Sequence, residues 1–105
     1  MKDFTAAAHK FQRACEGKIA RGCTYLGFLY STGHGVATSM TRAADLYRIA
    51  CEGGDLTGCH SLCMMYLKGD GIPKDEDRAL DLCQRACDGG LPEGCISGAR
   101  ARPKL

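Results

Sequence analysis

A right-handed α/α solenoid, an all-helical stack of repeated hairpins, is the fold this sequence predicts, and three observations predict it. Six of the eight cysteines form pairs of identical spacing: Cys15 with Cys23, Cys51 with Cys59, and Cys87 with Cys95, each eight residues apart and each pair 36 residues after the last. The text around them repeats in the frame A-C-[DE]-G-x4-G-C, as ACEGKIARGC at 14–23, ACEGGDLTGC at 50–59 and ACDGGLPEGC at 86–95. The intervening stretches repeat as well. CTYLGFLYSTGHGV at 23–36 aligns with CHSLCMMYLKGDGI at 59–72, and TRAADLYRIAC at 41–51 with DRALDLCQRAC at 77–87. A unit of this length is a helical hairpin that cannot bury its apolar face alone and stacks on its neighbours to do so.

Six helices follow, at 3–14, 20–31, 40–50, 56–67, 75–87 and 92–100. The first starts in a helical pattern at Asp3-Phe4. The second carries Leu26, Leu29 and Tyr30, and the third Ala43, Leu46, Tyr47 and Ala50, at the three-and-four spacing of one helix face. The fourth and fifth are their images one period on, and Pro92 suits the start of the sixth, where a missing amide hydrogen costs nothing. No segment alternates long enough for a strand. Gly33-His34-Gly35-Val36 and Gly69-Asp70-Gly71-Ile72 join the helices of one hairpin, glycine ending a helix in the left-handed conformation. Glu16-Gly17, Glu52-Gly53-Gly54 and Asp88-Gly89-Gly90 join one hairpin to the next. These G-x-G turns are not phosphate loops, because the strand that a P-loop or dinucleotide fingerprint requires is missing.

The pattern A-x2-L-[YC]-x2-A-C-[DE]-G-x4-G-C-x2-L-[GC]-x2-Y-x2-G-x-G-[VI] resembles the Sel1-like repeat, a relative of the tetratricopeptide repeat. The cysteine pairs resemble its cysteine-rich branch, typified by the secreted Helicobacter cysteine-rich proteins. The resemblance covers almost the whole chain and implies the solenoid, stapled by disulfides. For function it implies a scaffold or adaptor, since the family is mostly of that kind. In these terms the 105 residues form one domain: a partial unit at 1–19, repeats at 20–55 and 56–91, and a partial unit at 92–105.

So small a stack has a modest core and gains from staples. A disulfide closing nine residues removes roughly 2.5 kcal/mol of unfolded-state entropy on the chain-closure model. Cys63 and Cys83 stand outside the frame, replacing Gly27 and Tyr47 of the previous repeat, and lie equally far from the centre of their hairpin near residue 73. They form either a fourth bridge or a buried pair of free thiols. Cys59, Cys63, Cys83 and Cys87 also spell a twin C-x3-C, the pattern of small intermembrane-space chaperones or a four-cysteine zinc site. Those readings orphan Cys51 and Cys95 and leave Cys15 and Cys23 unexplained, so the repeat pairing is preferred, with no metal or cofactor.

Thiols at disulfide spacing imply an oxidising space. The start of the chain shows no apolar signal region, which reads as a mature form whose targeting segment has been removed. A periplasmic or secreted protein is expected, with the mitochondrial intermembrane space as the alternative. The apolar runs are too short for a membrane span. A net charge of +2 gives no strong field, and the basic tail Arg100-Ala-Arg102-Pro-Lys104 has no interleaved aromatics, so nucleic acid is not an expected partner.

The Helicobacter proteins have been described as penicillin-binding and as slow β-lactamases, so the resemblance also raises a β-lactam-binding or hydrolysing protein. Its usual machinery is missing here. Ser31, Ser39, Ser61 and Ser97 are followed three residues on by His34, Arg42, Met64 and Arg100, never by lysine, and there is no H-E-x-x-H. Ser31 and His34 are close enough in sequence to meet, but no orienting acid accompanies them. No catalytic residue is therefore assigned.

The preferred reading is a noncatalytic interaction module. In a right-handed stack the first helix of each hairpin lines the concave face, and residues off its Leu-x3-Tyr stripe are free to meet a partner. These are Arg21, Thr24 and Phe28 in one repeat, and Thr57, His60, Met64 and Lys68 in the next. Phe28 corresponds to Met64 and Thr24 to His60. An apolar row flanked by polar and basic groups suits an extended peptide or protein terminus. The terminal helices, covered on one side only, offer a route to homo-oligomers.

Overall fold

The computed structural model describes residues 3–101, with side chains through Ala99. It contains α1 (Phe4–Glu16), α2 (Ala20–Thr32), α3 (Met40–Glu52), α4 (Leu56–Lys68), α5 (Glu76–Asp88) and α6 (Pro92–Ala101), and no strand among the described residues. The expected helices are all present, most of them running one or two residues further at their C-terminal ends. The side chains of the basic tail lie outside the described residues.

The helices alternate between two layers of a rod 48 Å long and 24 by 23 Å across. Each packs on the next in the chain, and α2 also touches α4, and α4 touches α6, whereas α1, α3 and α5 do not approach one another as closely. The inner layer is therefore α2, α4 and α6, and the stack bends around it.

The start signals of the two layers differ. Asp3, Ser39 and Asp75, one period apart, cap the outer helices by accepting from the backbone N–H of Ala6, Arg42 and Arg78 at 3.1, 3.2 and 3.1 Å. The inner helices begin straight out of the junction turn, held by backbone bonds at 2.9 Å from Ile19 to Ala14, Asp55 to Ala50 and Leu91 to Ala86. The hairpin turns end on Gly33 and Gly69 at φ +76° and +75°, as the sequence predicts.

Close approach explains the repeated frame. A Cβ on Gly22, Gly58 or Gly94 would come within 2.6, 2.8 or 2.7 Å of the Cβ of Ala14, Ala50 or Ala86. Small residues at both positions let outer and inner helix touch, and the cysteine following each joins its partner with Cα atoms 4.6, 4.5 and 4.6 Å apart. Cys63 and Cys83 also form a bridge, with Cα atoms 5.6 Å apart and both residues fully buried.

The core is divided by unit rather than gathered at one centre. Ala8, Leu26 and Leu29 form its first part, Ala43, Ala44, Tyr47, Leu62 and Met65 its second, and cystines with Ala79 and Ala86 its last two. A fully buried leucine contributes about 1.5–3 kcal/mol. Each bridge, at roughly 2.5–3 kcal/mol on the chain-closure model, is thus worth as much as one more such residue.

A concave face on the inner helices

The expected partner-contact residues fall on the inner helices, but they do not all face outward. Phe28 is 53% exposed in the middle of α2, and Arg21, Thr57 and Lys68 are exposed on α2 and α4. Met64, the image of Phe28, is half-buried. Phe28 is thus not a filler of the core between repeats.

Thr24 is corrected by the structure. It is only 5% exposed, and its hydroxyl donates to the carboxylate of Asp55 at the start of α4. It stands where one inner helix meets the next, and there a buried hydroxyl needs a partner. His60, its image, is half-buried for the same reason and lies 2.8 Å from Ser97 Oγ through Nε2. Burial lowers the pKa of His60, and the carboxylate of Glu93 partly opposes the shift.

Between α2 and α4 a cleft of about 240 Å³ is lined by Ser31, Met40, Tyr47, His60, Ser61, Met64, Met65, Lys68 and Asp70. Tyr47 rises into it from α3, with Ser31 and Ser61 beside its hydroxyl. Burial raises the phenol pKa, and the two serines offset part of that. The floor is polar and the flanks are sulfur and hydrocarbon, so the cleft can hold a side chain by apolar contact and orient its tip by hydrogen bonding.

Ser31 and His34 do not meet. Ser31 Oγ donates to the carbonyl of Phe28 at 2.8 Å, while His34 Nδ1 lies 2.7 Å from Thr32 Oγ1 and its ring packs 4.6 Å from that of Phe4. The serine and imidazole that do meet, Ser97 and His60, are 37 residues apart. No repeated motif points to them. Among the described residues no carboxylate is hydrogen-bonded to His60, and no three His, Cys, Asp or Glu gather as a metal site. No helix is long and apolar enough to cross a membrane among these residues.

Two clefts lie on the outer side, a larger one of about 370 Å³ between α1 and α3 and one of about 220 Å³ between α3 and α5. They are one motif seen twice: Glu16, Tyr30, Arg42 and Asp45 line the first, and their images Glu52, Tyr66, Arg78 and Asp81 the second. Their polar groups engage one another. Arg42 sits 5.6 Å above the Tyr30 ring, Arg48 pairs with Asp45 at 2.6 Å, and Arg78 with Asp75 at 3.5 Å. The concave row leaves its apolar groups uncovered, and for that reason it is the better candidate site despite the larger cleft between α1 and α3.

Comparison with known proteins agrees with this architecture. The model of the Sel1 repeat matches residues 20–55 and 57–91. Among solved structures, Helicobacter pylori cysteine rich protein B is 31% identical, with 85% of this chain and 67% of that one covered and a TM-score of 0.82. A protective antigen of uropathogenic Escherichia coli is 26% identical over 89% of this chain and 20% of its own, with a TM-score of 0.85. A Sel1 repeat protein from Oxalobacter formigenes, 24% identical, shares the fold at a TM-score of 0.88 over 93% of this chain and 40% of its own. This chain therefore spans a fifth of the second protein and two fifths of the third. No curated protein sequence matches it.

Proposed function

The chain belongs to the Sel1 repeat family, and we propose that it is a noncatalytic interaction module that takes an extended peptide or protein terminus along its concave face. The observation that carries this reading is Phe28, an aromatic ring left 53% exposed on the inner layer one repeat away from Met64. An extended strand advances about 3.3 Å per residue, so a few residues of a partner reach from one inner helix to the next. Phe28 and Met64 would take its apolar side chains, with the Tyr47 cleft between them. Arg21, Thr57, His60 and Lys68 would serve its polar groups and any terminal carboxylate. The two repeats at 20–55 and 56–91, with a partial unit at each end, supply this surface.

Four bridges suit an oxidising, extracytoplasmic compartment, and the periplasm or the secreted space is the one we assign. Hydrolysis of a β-lactam is the competing activity. Ser97 and His60 lack an orienting carboxylate bonded to the imidazole, and Ser97 sits inside a helix whose amide groups are engaged in helical bonds.

Selection from a displayed random-peptide library on the oxidised chain should yield binders that lose about tenfold or more in affinity with Phe28→Ala or Met64→Ala. Binders indifferent to both changes would place the site elsewhere. Turnover of a chromogenic cephalosporin that survived repurification and fell with Ser97→Ala would overturn the noncatalytic reading.

A further inference from the structure

The two ends of the rod are complementary halves of a repeat. Among the described residues, α1 is an outer helix with no inner helix packed on its far side, and α6 is an inner helix with no outer helix packed on its far side. Of the five large apolar residues left exposed among those described, three lie at these ends: Ile19 (59%) and Tyr25 (46%) at the start and Ile96 (53%) at the finish, the others being Phe28 on the concave face and Ile49 on α3.

The contacts inside the rod say what such positions do. Thr24 faces forward to Asp55 of the next unit, and its image His60 faces forward to Ser97. The third image of this forward position is Ile96. The backward-facing positions it would meet, the first-unit images of Asp55 and Ser97, are Ile19 and Tyr25. Where the interior joins units through polar pairs, the two ends carry apolar residues that match each other. A second contact follows the same rule. Arg21 shares a cleft with Gly54, Asp55, Leu56 and Thr57 of the following unit. Its last image is Glu93, and the residues that image would face are Lys18 and Arg21, of opposite charge. A third is steric. Tyr47 packs over Gly27, and the corresponding pair across the ends is half-buried Phe11 over exposed Ala99, again a ring against a small residue.

We propose that copies of this chain stack head to tail, with α6 of one copy seated against α1 and α2 of the next in the register of the internal repeat. Ile96 then covers Ile19 and Tyr25, Glu93 lies beside Lys18 and Arg21, and α6 with the next α1 completes a hairpin. The contact is heterologous, so it propagates rather than closing on a twofold axis. It lengthens the concave face, and of the residues assigned to that face it engages Arg21.

The test uses the full oxidised chain in sedimentation equilibrium with two variants, Ile19→Asp, which disables the head, and Ile96→Asp, which disables the tail. Aspartate already occupies the image of Ile19 at Asp55, and both isoleucines are exposed, so both variants should keep native circular dichroism and eight blocked cysteines. The parent chain should show a mass that rises with concentration past twice 11.2 kDa. Each variant alone should be monomeric. An equimolar mixture should form a heterodimer and nothing larger, because it holds one intact head and one intact tail. A parent chain monomeric at all concentrations overturns the proposal and leaves these faces to another partner. So does a variant that dimerises alone, which would mean a symmetric contact, or a mixture that stays monomeric.

Discussion

The hairpins α2–α3 and α4–α5 are images of each other and hold together differently. In the first, Tyr47 lies over Gly27, where an added Cβ would come within 2.9 Å of the ring, and Ser31, on the same helix as that glycine, stands beside its hydroxyl. In the second, Cys63 and Cys83 take the places of Gly27 and Tyr47, and Leu67 takes the place of Ser31 and packs against the bridge. The exchange is of three residues, not two. Removing the phenol removes the need for a hydroxyl beside it, and an apolar side chain fills the space. One backbone geometry is thus served either by a large ring on a bare helix or by a short covalent link with aliphatic packing.

The largest effect should come from the ring. Tyr47→Ala leaves a cavity in the second core cluster and should cost about 3–5 kcal/mol, read from denaturant midpoints of the oxidised protein. Cys63→Ala with Cys83→Ala should cost about 3 kcal/mol, from reopening a loop of some twenty residues in the unfolded chain. If the double cysteine variant lost much more than Tyr47→Ala, the two hairpins would not be equivalent solutions. Dithiothreitol should lower the melting temperature of the parent, and EDTA should not.

Gly27→Ala sharpens the same comparison. Its methyl group would press on Tyr47 and lie 3.3 Å from the carbonyl of Ala43, against a gain in helix propensity. A net loss of about 1–2 kcal/mol is expected, and it should vanish in a Tyr47→Ala background.

The junction turns offer a smaller contrast. Gly54 and Gly90 adopt φ +96° and +104°, whereas the first junction puts Lys18 at φ +66°. Lys18→Gly should therefore raise stability by about 0.5–1 kcal/mol in thermal unfolding, since relief of left-handed strain exceeds the added freedom of the unfolded chain.

The smallest effect separates the two contacts between inner helices, Thr24 with Asp55 and His60 with Ser97. Burial lowers the pKa of His60 from its ordinary 6.5, so in acid the unfolded chain takes up more proton than the folded one. Stability from this group is complete above the unfolded value and falls as pH drops from there toward the lower folded value. The melting temperature of His60→Gln should fall less steeply than that of the parent across this window, and equal slopes would show that His60 does not contribute.

The periodic features are legible in the sequence alone. The six helices, the two kinds of turn and three of the bridges recur every 36 residues, because each unit solves the same local problem: start a helix, cross it closely beside a cystine, and turn. The pairing of Cys63 with Cys83 could be anticipated from equal heights in one hairpin, but a free thiol pair fitted the sequence as well. The bond between the two sulfurs, across Cα atoms 5.6 Å apart, decides it.

Contacts between units were another matter. Thr24 reads as a surface residue, since a threonine on the polar side of an amphipathic helix has no sequence mark distinguishing solvent from the flank of another helix, and Asp55 is 31 residues away. Ser97 likewise carries no mark in the sequence of the histidine it meets, His60 on α4, 37 residues away. The reason is physical: periodicity records what each repeat must do to fold, while polar pairs at a junction depend on two side chains from different units that are free to differ as long as they satisfy each other. Helices, turns and staples are local and repeated, and therefore visible in the letters. Which faces are left open, and what lies across each seam, follows from how the units stack.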